Sequence, residues 1–402
     1  KQGEQSMETK LKLAVFNTQP PHLYFGGVER RILETAKQLT DKVNTTIYSG
    51  TKNGFNETIT VDGAAIVPCK STDKVFPLDN WTFNRSLSKM VNKIDADLYE
   101  AHAVSGYGFL NALRKHKINK PFIQTVHGVL ADEYIQSSKT VSPSMKTKLS
   151  NFFMKRLGQQ EKEAAQKSSL VVTISRYSVQ KIVELYGVDE KKIRIVPNGV
   201  DLQRFKPDND CEEAKKLVGE NNEHVVLFVG NLIPRKGLHF LVEAAKQVIK
   251  DNKQTKFVVV GDGPLKNNLV LYAQQQAVLD NFAFLGTVSD SVLPQLYSCA
   301  DLFVSPSVQE GQGITFLEAQ ASGKPVVAFN VSAINEVVKH KQTGLLVGPE
   351  SQQLGDAISD LLSNEALREK MGKCGRDFVS DRFSWGVCAQ KLFQVYCEAT
   401  QT

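Results

Sequence analysis

Asp301-Leu302-Phe303-Val304-Ser305-Pro306-Ser307 and, two residues on, Glu310-Gly311-Gln312-Gly313-Ile314-Thr315-Phe316-Leu317-Glu318 carry an apolar run into a glycine-rich turn and out again. The first part reads as a buried strand ending in a turn, and Ile314 to Ala321 reads as a short helix. A helix begins with backbone N–H groups that have no partner within it, so the Gly311 to Ile314 turn is suited to phosphate oxygens. Glu310 stands on the loop, and Glu318 is expected two turns away on the same side. Such a device can hold both ends of a sugar nucleotide. Two glutamates at this spacing are on their own more often a solvated helix face, so the reading depends on what surrounds them.

Three more strand ends repeat the pattern. Val225-Val226-Leu227-Phe228-Val229 stops at Gly230, and Asn231-Leu232-Ile233-Pro234-Arg235-Lys236-Gly237 follows before a new apolar-periodic helix. Phe257-Val258-Val259-Val260 is closed by Gly261-Asp262-Gly263-Pro264, and Ala283-Phe284-Leu285-Gly286 runs into Thr287-Val288. Strand ends of an open parallel sheet converge on one crevice, where such sheets bind ligands.

The N-terminal half reads in the same alternation. Leu11 to Asn17 is a strand, and Gly26-Gly27 introduces a helix from about Val28 to Leu39 with Val28, Ile32, Ala36 and Leu39 on its apolar side. Glycines there permit close backbone approach. Asp97 to His102, Pro121 to Gly128, Ser168 to Ser175 and Ile193 to Gly199 read as further strands or strand ends, and the linker is expected near Asp201 to Pro207. A chain of 402 residues suffices for two cores of about 200 residues each, and no stretch has the long uncharged apolar run of a membrane span.

Charge divides unevenly. Residues 1–200 hold 29 Lys/Arg against 19 Asp/Glu (+10), residues 201–402 hold 20 against 24 (−4), and together they give the net +6. The positive half is expected to meet anionic partners. Within Lys139 to Lys167, Lys146, Lys148, Lys155 and Arg156 interleave with Leu149, Phe152, Phe153, Met154 and Leu157. Such a basic amphipathic helix can lie on acidic lipid headgroups, or can turn its aromatic face to the core. No zinc finger or aromatic RNA-binding motif appears, so nucleic acid is not an expected partner. Six scattered cysteines argue against a disulfide scaffold and fit a reducing cytosol. The polar residues before Met7 have no apolar signal-peptide region.

Taken in order with Ala321-Ser322-Gly323-Lys324-Pro325-Val326-Val327-Ala328 and Thr343-Gly344-Leu345-Leu346-Val347, the C-terminal motifs resemble those of glycosyltransferase family 4 over roughly residues 190–385. In the N-terminal half the landmarks are Gly26-Gly27-Val28-Glu29, His127-Gly128 and Pro197-Asn198-Gly199-Val200-Asp201. The resemblance implies an α/β fold of two Rossmann-like domains facing a cleft (GT-B). A lead at 1–10 would precede an acceptor-side domain at 11–203 and a nucleotide-sugar domain at 204–382. A terminal helix at 383–402, opened by Phe383-Ser384-Trp385, would cross back to the first domain.

The same resemblance implies a retaining transfer from a nucleoside diphosphate sugar, UDP-linked by preference, to a lipid-linked, glycan or small-molecule hydroxyl. It needs no metal and places the enzyme in the cytoplasm, with a peripheral position on the inner membrane face left open. Glu310 would contact the donor sugar and Glu318 the ribose, while Arg235 and Lys236 would neutralise the diphosphate. His127 would face the sugar, and His102 is a weaker candidate on the acceptor side. Gly26, Gly27, Gly261, Gly311, Gly313, Ile314 and Val288 would line the donor through backbone. Asn231 stands where the family commonly has arginine, so a charge is missing there and Arg235 is placed to supply it. A sugar-phosphate-using synthase or phosphorylase, and a noncatalytic nucleotide-sugar sensor, are the alternatives.

Overall fold

The computed structural model of the chain describes residues 10–24, 26–73, 77–138, 145–219 and 224–401, without the side chains of 137–138 and 145–151. The lead before Met7, Lys139 and the side chains of Lys146, Lys148 and Leu149 lie outside the described residues. Two compact units emerge. One comprises the described residues up to Ile174, Ser178–Pro197 and Cys388 onward; the other comprises Ser175–Tyr177 and Asn198–Val387.

The first unit is built on eight strands: β1 (Leu11–Asn17), β2 (Val43–Gly50), β3 (Ile59–Val61), β4 (Ala64–Cys69), β5 (Leu98–His102), β6 (Phe122–Val126), β7 (Leu170–Thr173) and β8 (Ile193–Ile195). Their order is β3-β4-β2-β1-β5-β6-β7-β8, parallel throughout except for the β3–β4 hairpin. The order reverses between β1 and β5, so the loops after these two strands flank the natural binding crevice. β5 and β6 are buried along their whole length, as strands covered on both faces must be.

The second unit carries six parallel strands: β9 (His224–Val229), β10 (Thr255–Val260), β11 (Phe282–Gly286), β12 (Leu302–Ser305), β13 (Val326–Phe329) and β14 (Gly344–Val347). Their order, β11-β10-β9-β12-β13-β14, reverses between β9 and β12. The two loops read as chemically loaded, Gly230–Gly237 and Pro306–Gly313, therefore leave adjacent strands at the switch point. Helices cover both faces and give this unit two apolar clusters, one around Phe228, Phe257 and Leu361, the other around Phe303, Phe316 and Tyr297. Gly261 shows why the β10 end ends in glycine. Its φ is +128°, and a Cβ there would stand 2.0 Å from the carbonyl oxygen of Gly230, so no side chain fits between the two strand ends.

Two readings change. Cys211 and Cys299 form a disulfide with Cα atoms 5.8 Å apart, tying the helices Glu212–Val218 and Val292–Cys299. Their separation of 88 residues hid the pair, because the expectation of free thiols looked for close spacing. Glu318 sits only about one turn into the helix Ile314–Ala321, since Glu310 to Gly313 are loop rather than helix. The start and end expected for that helix agree with the structure.

Candidate active site

At the second unit's switch point, Lys236 and Glu310 meet. The Pro234–Lys236 turn ends at Gly237, whose φ of +64° opens the helix Leu238–Asp251. A Cβ on Gly237 would stand 2.1 Å from the Pro306 carbonyl oxygen, so glycine lets the two loops touch. Val308 N–H closes the contact by donating to the Arg235 carbonyl at 2.9 Å. The loops thus deliver Lys236 Nζ directly onto Glu310 Oε1. Arg235 Nη1 reaches Glu310 Oε2 at 3.4 Å, and Ser307 Oγ donates to Oε1 at 3.1 Å.

Glu310 is 5% exposed and Lys236 9%. Burial pushes the Glu310 carboxyl up, but Lys236, Arg235 and the Ser307 hydroxyl together hold it below its ordinary value. The site therefore holds a carboxylate under two cations, with Arg235 half-buried and Asn231 exposed. Arg235 brings a second positive charge to the Glu310 carboxylate.

Glu318 is also buried, at 3% exposure, and Tyr297 donates its hydroxyl hydrogen to Glu318 Oε2 at 2.9 Å. Gly313, with φ of +79°, precedes the helix Ile314–Ala321. Gly311, Gly313, Ile314, Gly261 and Val288 are all half-buried at the strand and helix ends. No tyrosine partner for Glu318 was foreseen, and nothing in the spacing of Tyr297 from it signals one.

In the first unit, Gly26 and Gly27 are exposed at the start of the helix Gly27–Gln38. Glu29 folds back over this start: Asn17 Nδ2 donates to its Oε1 at 3.2 Å, and a Cβ on Gly26 would stand 2.3 Å from its Oε2. Burial raises the Glu29 carboxyl, against backbone N–H groups of Glu29 and Gly26 that lower it. The Glu29 carboxyl thus already takes up backbone N–H groups of the loop expected to line the donor.

His127, half-buried just beyond β6, has its Nε2 2.8 Å from Nδ1 of His102, the last residue of β5. His102 Nε2 lies 3.6 Å from Glu100 Oε1, and Glu100 takes hydrogen bonds from Thr125 Oγ1 at 2.6 Å and from the Tyr396 hydroxyl. Arg31, 1% exposed, donates to the Val196 carbonyl at 2.8 Å and supplies the positive charge opposite Glu100. Burial, with Arg31 nearby, brings His102 down to about 3, and burial with His102 and Arg31 takes His127 well below its usual value. Both rings are neutral. The sequence did hold a signal for this cluster: Glu100 and His102 are polar, two apart on one strand face, in an otherwise apolar run.

Among the described residues no group of three or more His, Cys, Asp or Glu is placed to hold a metal ion, and no helix is long and apolar enough to cross a membrane.

Comparison with known proteins agrees with this geometry. Residues 25–204 match the family model described as Glycosyltransferase Family 4, and residues 210–378 match that described as Glycosyl transferases group 1. The chain is 31% identical over 321 residues to the UDP-Gal:alpha-D-GlcNAc-diphosphoundecaprenol alpha-1,3-galactosyltransferase of Escherichia coli, covering 78% of each. It is 32% identical over 234 residues to the GDP-mannose-dependent alpha-(1-6)-phosphatidylinositol monomannoside mannosyltransferase of Mycobacterium tuberculosis, 56% of this chain and 60% of that protein. Alr3699/HepE of Anabaena, solved in complex with UDP and glucose, superposes with a TM-score of 0.74 at 21% identity, over 96% of this chain and all of that one. Two Rossmann-like units, chemically loaded loops at the switch point and a relative matched over most of its length have one reading: the chain belongs to the GT-B glycosyltransferases, which transfer a sugar from a nucleoside diphosphate sugar to an acceptor hydroxyl.

Proposed function

We propose that this enzyme is a retaining, family 4 glycosyltransferase that uses a UDP-sugar and a lipid-linked acceptor at an anionic membrane surface. The observation that carries the donor half is the buried Lys236–Glu310 pair at the β9/β12 switch point, with Arg235 beside it. Cations held there stabilise the negative charge that develops on the departing diphosphate. Glu310 takes the donor sugar, Glu318 the ribose hydroxyls, and the backbone of Gly311, Gly313 and Ile314 the sugar or phosphates. In the reaction the bond from the anomeric carbon to the phosphate oxygen breaks, and one to the acceptor oxygen forms on the same face. The acceptor proton passes to a phosphate oxygen, so no protein group need take it.

UDP is preferred because the E. coli relative whose name carries UDP-Gal aligns over 78% of this chain, against 56% for the GDP-mannose-dependent one. Both names carry a lipid-linked acceptor. The test is a donor panel of UDP-, GDP- and ADP-sugars against lipid and soluble acceptors, with product mass and anomeric configuration read by mass spectrometry and NMR. A product of inverted configuration, or productive transfer from GDP- or ADP-sugars alone, overturns the corresponding part. Phosphate retained in a water-soluble product points instead to a sugar-phosphate acceptor.

The membrane reading rests on the first unit. Phe152, on the helix Met145–Lys167, is 61% exposed rather than turned to the core. Leu78 (49%) and Trp81 (53%) are exposed on a second helix, Leu78–Ser88, and Arg85 stacks on Trp81 at 5.5 Å. A groove of about 600 Å³ joins the two, lined by Leu78, Trp81, Arg85, Phe153, Arg156 and Leu157. Aromatic side chains beside arginines suit the headgroup level of an anionic bilayer. The chain has two tryptophans, and the other, Trp385, is buried at 3% exposure. Phosphatidylglycerol vesicles are therefore expected to shift Trp81 emission to the blue, and Trp81→Ala to abolish the shift. An unchanged spectrum at low salt would count against the membrane surface.

A further inference from the structure

We infer that Glu100, His102 and Tyr396 form a buried relay that sets the tautomer of His127, so that its Nε2 carries the proton and its Nδ1 is left as a hydrogen-bond acceptor for the donor sugar. The functional end of this inference rests on the proposed function and on the sugar-facing role that the family resemblance implies for His127; the tautomer does not.

An ionised carboxylate only accepts hydrogen bonds, and Glu100 is surrounded by groups that give them: Thr125 Oγ1 at 2.6 Å, the Tyr396 hydroxyl, and the charge of Arg31. Its Oε1 also faces His102 Nε2 at 3.6 Å. A bare lone pair on that nitrogen would point at a carboxylate oxygen in a site 2% exposed, whereas an N–H there is attracted to it. His102 is neutral, so a proton on Nε2 leaves Nδ1 without one. That Nδ1 is 2.8 Å from His127 Nε2, a full hydrogen-bond distance, and two bare nitrogens cannot share it. His127 must therefore donate from Nε2. Being neutral as well, it has no proton left for Nδ1, the one ring nitrogen that remains for a ligand on the half-buried side chain.

The fold fixes each link. β5 presents Glu100 and His102 on one face, its register sets His102 beside Thr125 of β6, and Tyr396 reaches Glu100 from the helix Trp385–Gln401. A neutral acceptor at His127 selects sugar hydroxyls, which donate, and disfavours phosphate oxygens, which only accept. Glu100, His102 and Tyr396 are positioning residues, and of these four side chains His127 is the one that meets the substrate. Partners that orient a metal-ligating histidine change affinity or activity by about 10 to 100-fold when lost, and an effect of that order is expected for a sugar-facing histidine held in the same way.

Selective ¹⁵N labelling of the histidine rings of the full-length protein tests this directly, because protonated and bare ring nitrogens resonate far apart. The expected spectrum has His127 protonated at Nε2 and bare at Nδ1 at neutral pH. His102→Asn retains an oxygen able to accept from His127, and is expected to keep that tautomer and transfer within about threefold of wild type. His102→Ala removes the acceptor, and is expected to give mixed tautomers and at least a tenfold lower rate than His102→Asn, both assayed well below their melting temperatures because the cavity and orphaned N–H also lower stability. A wild-type His127 protonated at Nδ1 overturns the relay whatever the assays show, as do equal losses in the two variants. Absence of transfer by the wild type would count against the proposed function, while the spectrum would still decide the tautomer.

Discussion

Glu310→Gln and Lys236→Ala are each expected to lower sugar transfer about a hundredfold, the consequence of losing about 3 kcal/mol of transition-state stabilisation. The two changes do not weaken the same thing. Glutamine keeps the shape of Glu310 and an oxygen for Lys236 Nζ, but removes the negative charge proposed to lie beside the sugar, where positive charge develops as the phosphate leaves. Alanine at 236 removes the ammonium proposed to meet the diphosphate, and it leaves the Glu310 carboxylate, 5% exposed, with Arg235 and Ser307 facing it.

Breaking a buried pair by deleting one partner typically costs about 3 to 5 kcal/mol. Lys236→Ala is therefore expected to lower the melting temperature as well as the rate, and Glu310→Gln chiefly the rate. Glu318→Gln, which keeps a partner for the Tyr297 hydroxyl, is expected to weaken nucleotide binding more than turnover. Initial rates, donor affinity and thermal unfolding measured together separate these outcomes. Rates near wild type in both Glu310→Gln and Lys236→Ala would sink the proposed site even with the fold intact.

What the sequence disclosed follows a physical line. Fully buried parallel strands are continuous apolar runs, so β1, β9, β10 and β12 were legible, and so were the glycines that close β9, β10 and β11. β2 was not singled out, because Asn44, Thr45, Thr46 and Ser49 break its apolar run, and β4 carries Pro68. Loop chemistry was legible where a motif orders it in sequence, as with Arg235, Lys236 and Glu310. It was not legible where partners come from far along the chain. Tyr396 lies 296 residues from Glu100, and Cys299 lies 88 from Cys211. Local pattern carries no signal for such pairs, since only the closed fold brings them together. His102 was read as a minor acceptor-side candidate because a histidine at a strand end says nothing about whether its second nitrogen meets a carboxylate or solvent.

The same buried cluster is expected to make the first unit soften in acid. Burial, with Arg31, brings His102 from an ordinary 6.5 to about 3 in the fold. The unfolded chain takes up this proton below about 6.5 and the fold does not until about 3. The neutral ring thus contributes its full stability above 6.5, and loses it at about 1.4 kcal/mol per pH unit as pH falls toward 3. His127 is shifted in the same direction. Glu161 works against them. Burial raises it from 4.5 to about 7, so the fold keeps a proton that the unfolded chain gives up; its contribution is complete below 4.5 and lost as pH rises through 7. From 6.5 down to 4.5 this gain offsets one histidine, and below 4.5 it grows no further, so the decline steepens there. Amide hydrogen exchange of β5 and β6, corrected for intrinsic rates, reads the effect locally and avoids treating two units as one transition. Protection is expected to fall between pH 6.5 and 4.5 and faster below, with His102→Asn flattening the slope by about 1.4 kcal/mol per pH unit. A pH-independent protection, or an equal slope in the variant, would show that His102 titrates in the fold as it does in water.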